Sequence, residues 1–385
     1  MKNWLHIVPL MALALVLASC SGEDVVSGYD IPKTGTKPGT KPGTTTQDPV
    51  IDYNKYSLGD LADRQGIKLG LAFTYWEYRN NPRVAEILAT EARAVTFGNE
   101  MKHDGIVQAG GNMNFGTADQ MVQWTKNAGA ELFGHVLGWH SQQQTAYLNT
   151  LTGDPAAIDN AFKTFVYAMV EHFDVYAWDV VNETFSDGTN GAFRTQQTTQ
   201  NGFVWGTYYA STKDWVDAAF TYATEACAKY GKNPVLYIND YNLETDPGKR
   251  RALCSYAKGN PNVTGVSTQM HLDIKTQDLK GKIEASLKDL TATGKMVRIA
   301  ELDLKNTSEE DQAEIFVYIF QKYLEIVPPK QRGGITFWGI NDKDSWLGEE
   351  NHPLLWKGID YVPKESYKAL WQYLCEVNGL SPYKE

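Results

Sequence analysis

Cysteine is scarce in this chain, with four in 385 residues. Cys227, Cys254 and Cys375 fall in helical patterns that show neither metal-ligand spacing nor a C-x-x-C pair. No His/Asp cluster has catalytic metal spacing either, so the sequence predicts no metal site and no cofactor. Cys227 and Cys254 could pair if their helices are neighbours, but buried free thiols are the favoured interpretation.

Clustered positive charge is also missing. The formal net charge is −10, and no basic run or stripe interrupts the sequence. Because nucleic-acid binding relies on Lys and Arg to neutralise phosphates, a nucleic-acid partner is disfavoured. A neutral polysaccharide needs no such charge matching. The chain has 11 Trp and 21 Tyr, whose flat faces suit sugar rings, although packing accounts for about half of them.

Long apolar runs are confined to the N-terminus. The stretch from Ile7 to Leu17 follows Lys2 and is too short for a membrane-spanning helix, so residues 1–20 are interpreted as an export signal. Its end, L-A-S-C at Cys20, resembles a bacterial lipobox. That resemblance implies lipidation of Cys20 and attachment to the cell envelope. The S-G-E-D that follows Cys20 resembles surface-export signals of some Gram-negative lipoproteins, which implies the outer membrane or surface of such a bacterium. Ordinary secretion with a coincidental cysteine is the alternative.

Residues 21–50 form a predicted linker. The tetrapeptide T-K-P-G occurs twice in succession, at 36–39 and 40–43, and three threonines follow. A stretch of Pro, Gly and Thr without apolar residues cannot bury a core, so it stays extended or disordered. We expect this linker to hold a single catalytic domain, residues 51–385, away from the membrane.

Apolar runs and amphipathic stretches alternate through that domain. Strand-like runs lie near 67–74, 92–98, 131–139, 175–182, 234–239, 263–270, 295–302 and 334–340. Helical patterns follow at about 82–91, 117–129, 155–172, 212–230, 247–258, 277–293, 308–327 and 363–378. Eight such units predict an α/β fold, the (β/α)8 TIM barrel. The alternative fold is an open doubly wound sheet. The absence of a Gly-rich phosphate fingerprint after the first strand argues against it.

Two of the predicted strands end in a glutamate. One is W-D-V-V-N-E, which ends at Glu183, and the other is M-V-R-I-A-E-L-D, which carries Glu301. An unpaired buried charge is costly, so such ends are expected to open on a cleft. Strand C-termini of a barrel converge on one face, and two carboxylates there are the minimum for carboxylate-pair chemistry on a sugar.

Several motifs carry a family resemblance. They are H-x-x-x-W-H-x-Q starting at His135, W-D-V-V-N-E, T-Q-M-H-L-D around His271, the E-L-D at Glu301, and T-F-W-G followed by D-K-D-S-W ending at Trp346. Their order and spacing resemble glycoside hydrolase family 10 from about residue 60 to 378. The resemblance implies a retaining endo-1,4-β-xylanase that acts on xylan and xylo-oligosaccharides, and we expect a monomer.

The resemblance also implies catalytic roles. Glu301 matches the nucleophile and Glu183 the acid/base, whose pKa we expect the nearby charge of Glu301 to raise. His271 is the kind of donor that would keep Glu301 ionised, and Asp303 would hold His271. Asn182 resembles the family's donor to the sugar 2-hydroxyl.

The predicted substrate-binding residues are Asn99, Lys102, His135, Trp139, Gln142, Gln269, Trp338 and Trp346. The sequence departs from the family where E-N-x-M-K is usual, because Gly98 stands at the position of the Glu. The family's Glu contact to the sugar one unit from the cleavage point therefore does not carry over to this chain.

Two other functions stay open at this point. The same machinery could act on another β-1,4-glycan or a plant glycoside, since pocket width decides this. A surface glycan-binding lipoprotein would hold its ligand without cutting it. Binding alone has no need for the pair Glu183 and Glu301, which argues against the second alternative.

Overall fold

The computed structural model describes residues 50–195 and 205–384. The predicted signal segment with Cys20, and the predicted linker up to residue 49, lie outside these described residues. Within them, no helix is both long enough and apolar enough to cross a membrane.

Eight parallel strands form a closed barrel. Each strand pairs with the next one along the chain, and the last strand returns to pair with the first. The strands are β1 Leu69–Phe73, β2 Ala94–Phe97, β3 Glu131–Gly138, β4 Ala177–Asn182, β5 Val235–Asp240, β6 Gly265–Thr268, β7 Met296–Lys305 and β8 Arg332–Phe337. The predicted (β/α)8 TIM barrel is confirmed.

A long helix follows every strand and packs outside the barrel. These helices are α1 Pro82–Glu91, α2 Gly116–Asn127, α3 Pro155–His172, α4 Thr212–Tyr230, α5 Pro247–Gly259, α6 Leu279–Thr291, α7 Glu309–Ile326 and α8 Glu365–Val377. All eight lie within a few residues of the predicted bounds.

Short helices, turns and strands accompany the eight barrel strands and their long helices. A helix precedes β1, and others occupy the loops after β1, β2 and β3; they are Leu58–Asp63, Tyr75–Asn80, His103–Ile106 and Thr145–Leu148. The 3-10 turns in the part of the chain that the structure describes include Asn149–Leu151, Trp205–Tyr208, Pro329–Gln331, Asp342–Asp344 and Glu349–Asn351. The short strand His271–Asp273 pairs in parallel with the end of β7, and Trp356–Lys357 pairs antiparallel with Val362–Pro363.

Local sequence signals fix several helix ends. The side chain of Asp154 accepts a hydrogen bond from the amide of Ala157 at the start of α3. The hydroxyl of Ser308 accepts one from the amide of Asp311 at the start of α7. Gly231 ends α4 with a φ of 66°, a left-handed conformation that glycine adopts without strain.

The main core lies between the barrel and its helices. The apolar stripe of α7, predicted to be core, is buried along its whole length: Ile315, Phe316, Ile319, Phe320 and Tyr323. Each large side chain buried in this way contributes about 1.5–3 kcal/mol relative to exposure. The three cysteines of the domain are buried and free, so Cys227 and Cys254 do not pair.

Side chains also fill the barrel interior. The guanidinium of Arg298 lies 3.2 Å from the centroid of the Phe133 ring, and its Nη2 donates to the hydroxyls of Thr96 and Thr336. Both Arg298 and Phe133 are almost completely buried. Because the interior is packed, a ligand is expected to bind at the C-terminal ends of the strands.

Candidate active site

A chain of amide groups joins Glu183 to Glu301. Gln269 Nε2 donates to Glu183 Oε1 and to Asn182 Oδ1, both at 3.1 Å. Asn239 Nδ2 donates to the same Asn182 oxygen at 3.0 Å and to Glu301 Oε1 at 2.8 Å. The two carboxylates are thus held in one hydrogen-bonded network at the ends of β4 and β7.

The backbone fixes both glutamates as well. The amide of Glu183 donates to the carbonyl of Asn239 at 2.9 Å, and the amide of Glu301 donates to the carbonyl of Gln269 at 3.0 Å. Glu183 has a φ of 58°, in the left-handed region, which costs a non-glycine residue about 1–3 kcal/mol. Arg194 Nε donates to the carbonyl of Glu183 at 2.9 Å and helps to hold this conformation.

His271 lies between Glu301 and Asp303. Its Nδ1 is 2.7 Å from Asp303 Oδ1, and its Nε2 is 3.3 Å from Glu301 Oε2. Burial alone would lower the pKa of His271, but the charges and hydrogen bonds of Asp303 and Glu301 raise it to about 10. A protonated ring therefore faces the carboxylate of Glu301 at neutral pH.

Trp346 covers this ion group. Its Nε1 donates to Asp303 Oδ2 at 2.7 Å, and its ring centroid lies 5.0 Å from that of His271. The side chain is 64% exposed, so one face of the indole is open to a ligand.

Glu183 has an environment that the sequence did not predict. Burial would raise its pKa, but the hydrogen bond and charge of His140, with a further hydrogen bond from Gln269, lower it to about 2. His140 Nε2 lies 2.9 Å from Glu183 Oε2. The expectation of a raised pKa is therefore wrong for the protein without substrate, because the contact with His140 outweighs the effect of burial.

The residues predicted at the ends of β2 and β3 form a second cluster. Lys102 Nζ donates to Gln142 Oε1 at 2.6 Å and to Asn99 Oδ1 at 3.5 Å, and Gln142 Nε2 donates to the same Asn99 oxygen. The Lys102 ammonium lies 4.7 Å from the centroid of a Trp139 ring. Burial lowers the pKa of Lys102, although Glu301 and Glu183 oppose that effect.

His135 and Trp338 form the remaining part of the predicted site. Their ring centroids lie 5.3 Å apart in an edge-to-face arrangement. His135 Nδ1 is 2.9 Å from Asp179 Oδ2, and both of these side chains are buried. Burial raises the pKa of Asp179, and His135 opposes that rise.

The structure therefore gathers every predicted site residue of the barrel on one face, and it adds four that the sequence analysis assigned no role. These are Asn239, His140, Asp179 and Arg194. Asn239 and His140 stand at strand ends, and Asp179 lies inside the W-D-V-V-N-E motif, so position alone could have drawn attention to them. Their partners are set by the tertiary fold.

The position of Gly98 is tightly enclosed on one side. A Cβ atom there would lie 2.9 Å from Cγ2 of Thr74. The nearby carboxylate of Glu100 accepts hydrogen bonds from the amides of Tyr75 and Asn99, at 2.7 and 3.1 Å.

Among residues 50–195 and 205–384, no group of three or more His, Cys, Asp or Glu side chains could hold a metal ion.

A closed barrel with a carboxylate pair at its strand ends is the arrangement of barrel glycosidases. The model of the family described as glycosyl hydrolase family 10 matches residues 57–373. The chain belongs to this family.

Individual relatives agree with that assignment. Endo-1,4-beta-xylanase B from Neocallimastix patriciarum is 30% identical over 333 residues, which cover 84% of this chain and 36% of that protein. Endo-1,4-beta-xylanase 2 from Claviceps purpurea is 32% identical over 299 residues, covering 75% and 82%. The chain spans half or less of the length of several curated relatives that it matches.

Solved structures share the fold. A mutant of xylanase 10C from Cellvibrio japonicus in complex with xylopentaose aligns with a TM-score of 0.75 and 25% sequence identity. The alignment covers 86% of this chain and 70% of that one.

The raised pKa of His271 predicts how the free energy of unfolding depends on pH. Its folded-state value of about 10 lies above the ordinary 6.5, so the protonated ring stabilises the fold fully below pH 6.5, and this contribution is lost as pH rises through 10. We expect His271→Gln to lower the free energy of unfolding by about 3 kcal/mol at pH 6.5, and we expect the difference from the wild type to shrink towards pH 10. Urea unfolding between pH 6 and 10.5 measures it.

A matched control is His172→Gln, because His172 pairs with Asp119 on the surface. It should show a small difference at every pH. A large difference for His271→Gln that does not change with pH would contradict the electrostatic account.

Proposed function

We propose that this protein is a retaining endo-1,4-β-xylanase that cleaves internal bonds of xylan and xylo-oligosaccharides by double displacement. The observation that carries the proposal is the amide chain between Glu183 and Glu301. Retaining hydrolysis needs two carboxyl groups roughly 5–5.5 Å apart, one on each side of the scissile bond. A rigid network of short amide side chains supports such a fixed separation.

Glu301 is the proposed nucleophile. Its Oε1 accepts a hydrogen bond from Asn239 and its Oε2 faces the protonated ring of His271, so the carboxylate is held in place by both. Its carboxylate attacks the anomeric carbon, and the bond to the leaving sugar oxygen breaks as the covalent glycosyl-enzyme forms.

Glu183 is the proposed acid/base. It protonates the leaving oxygen in the first step and removes a proton from water in the second. Because its pKa is about 2 in the protein without substrate, the proposal requires substrate to raise that value. A bound sugar excludes water, and its glycosidic oxygen takes the place of His140 beside Oε2; both changes favour the protonated carboxyl.

Asn182 is the proposed donor to the 2-hydroxyl of the sugar that is attacked. Its Oδ1 already accepts hydrogen bonds from Gln269 and Asn239. The orientation of the amide is fixed by these two donors, and Nδ2 is left for Glu183 and the sugar. Such contacts strengthen as charge develops in the transition state.

The remaining site residues are proposed to bind the sugar chain. Asn99, Lys102 and Gln142 offer polar groups near the carboxylates, and Trp139, His135, Trp338 and Trp346 offer ring faces. The relatives named as xylanases support xylan as the substrate. Both carboxylates come from one barrel, which supports a monomer as the active unit.

Substrate choice is tested by reducing-sugar release from xylan, cellulose and mannan under the same conditions. We expect xylan to be cut at least about tenfold faster than the others, since a pocket that excludes one sugar substituent discriminates by about 10- to 200-fold. Faster hydrolysis of cellulose or mannan would move the assignment to another β-1,4-glycan.

The role of Glu183 is tested by Glu183→Ala. General acid–base assistance contributes about 10² to 10⁴ in rate, so activity on xylan should fall by that factor. An aryl xylobioside with a good leaving group needs no protonation, so it should still form the covalent intermediate. Azide should then restore turnover and give a β-configured xylobiosyl azide, identified by NMR.

Glu301→Ala is the matched control for that experiment. Azide attack in this variant is direct and should give the α-configured product. An α-configured product from Glu183→Ala would mean that Glu183 is the nucleophile and Glu301 the acid/base. If azide gives no rescue and the losses on both substrates are equal, Glu183 has no catalytic role.

We also propose that Cys20 is lipidated and anchors the enzyme to the cell envelope, with residues 21–50 as a tether. The lipobox-like sequence and the repeated T-K-P-G support this. A tethered enzyme would act on polysaccharide at the surface of the cell.

Cys20→Ala tests the anchor. A lipidated wild type should appear in the membrane fraction, and the variant should become soluble with unchanged specific activity, because the active site lies in the barrel. Ser21→Ala is a neighbouring control that leaves the cysteine intact. Unchanged fractionation of Cys20→Ala would contradict lipidation.

A further inference from the structure

Two tryptophans of the described chain are more than half exposed. Trp346, at 64%, covers His271 and Asp303 in the active site, and Trp76, at 63%, has no role in the site described above. An exposed indole is unusual, and it is typical of surfaces that bind a ligand.

Trp76 lies on the catalytic face. It belongs to the helix Tyr75–Asn80, which begins two residues after β1 ends, so it follows a strand C-terminus. The amide of Tyr75 donates to Glu100 Oε1 at 2.7 Å. Glu100 is two residues before Lys102, which binds Gln142 in the polar cluster beside the carboxylates. The active-site cluster and Trp76 are thus joined through adjacent residues of one rim.

The surroundings of Trp76 hold its ring in place. The Tyr75 ring meets it edge to face at 5.1 Å, and the guanidinium of Arg79 lies 6.0 Å from its centroid. Beneath them, Tyr75 and Tyr78 both stack on Trp124, at 5.3 and 4.1 Å. A ring that is already fixed loses little conformational entropy when a ligand binds to it.

Gly98 separates the polar cluster from this helix. Its amide donates to the carbonyl of Phe73, and no side chain projects from it towards Thr74. Because Gly98 has no side chain, this position offers no side-chain contact to a sugar between the polar cluster and the helix of Trp76.

We propose that Trp76 is a stacking platform for a distal sugar of the glycan chain, beyond the sugars that contact Lys102 and the carboxylates. The flat indole packs against the apolar face of a pyranose ring, and Arg79 supplies hydrogen-bond donors at its edge. The platform strengthens binding of long chains, which offsets the contacts that Gly98 does not make. This inference rests on the proposed function, because it needs a polymeric sugar substrate.

The test compares Trp76→Ala with the wild type on xylohexaose and on an aryl xylobioside too short to reach the platform. The ratio of kcat/KM on the long substrate to that on the short one should fall about tenfold, through KM, as expected when a ring contact is lost without a change in chemistry. Trp76→Phe should recover part of the ratio. Tyr383→Ala, an exposed aromatic beside Ile51 before β1, should leave it unchanged.

Binding gives a second readout that does not depend on activity. In a Glu301→Gln background, calorimetry with xylohexaose should show about tenfold weaker binding after Trp76→Ala. Equal kinetic losses on both substrates, or unchanged binding, would overturn the platform and leave the proposed xylanase standing. If the wild type does not hydrolyse xylan but Trp76→Ala still weakens xylohexaose binding, the proposed catalytic function fails and the platform stands.

Discussion

The hydrogen bonds of Gln269 and Asn239 with the Asn182 side chain are the constraint on which the site depends. Each of these residues is positioned at the end of a different barrel strand, so the closed sheet sets the spacing between the two carboxylates. The packed barrel interior supports this arrangement from below. The parallel pairing of β4 with β5 places Asn182 opposite Asn239, and a shift in this register would break the amide chain.

Charge is distributed unequally around that chain. Glu301 faces a His271 ring that Asp303 keeps protonated, whereas Glu183 is paired with His140 and is strongly acidic before substrate arrives. The two glutamates therefore have different partners, although both carboxylates lie on the same face of the barrel. For the proposed mechanism, the first environment places the Asn239 amide and the His271 ring against the nucleophile. The second environment must change when a sugar displaces water and the histidine.

Much of this could be predicted from the sequence. The eight apolar runs and their helices are periodic and well punctuated, so the barrel and the face that carries Glu183 and Glu301 followed directly. The low pKa of Glu183 did not, because it depends on His140, which comes from a loop 43 residues earlier in the chain. The bridging role of Asn239 and the exposure of Trp76 depend in the same way on which strand ends become neighbours. Gly98 is a further example. The sequence shows that it departs from the family motif, but only the structure shows that it lies against Thr74.

The central claim is that Glu301 forms the covalent bond to the sugar and Glu183 does not. Trapping with a 2-deoxy-2-fluoro xylobioside that has a good leaving group tests it directly, since the fluorine slows release of the intermediate. Peptide mapping by mass spectrometry should find one xylobiosyl group on Glu301, with label absent from Glu301→Gln. Label on Glu183 or on another carboxylate, with Glu301 unmodified, would contradict the account.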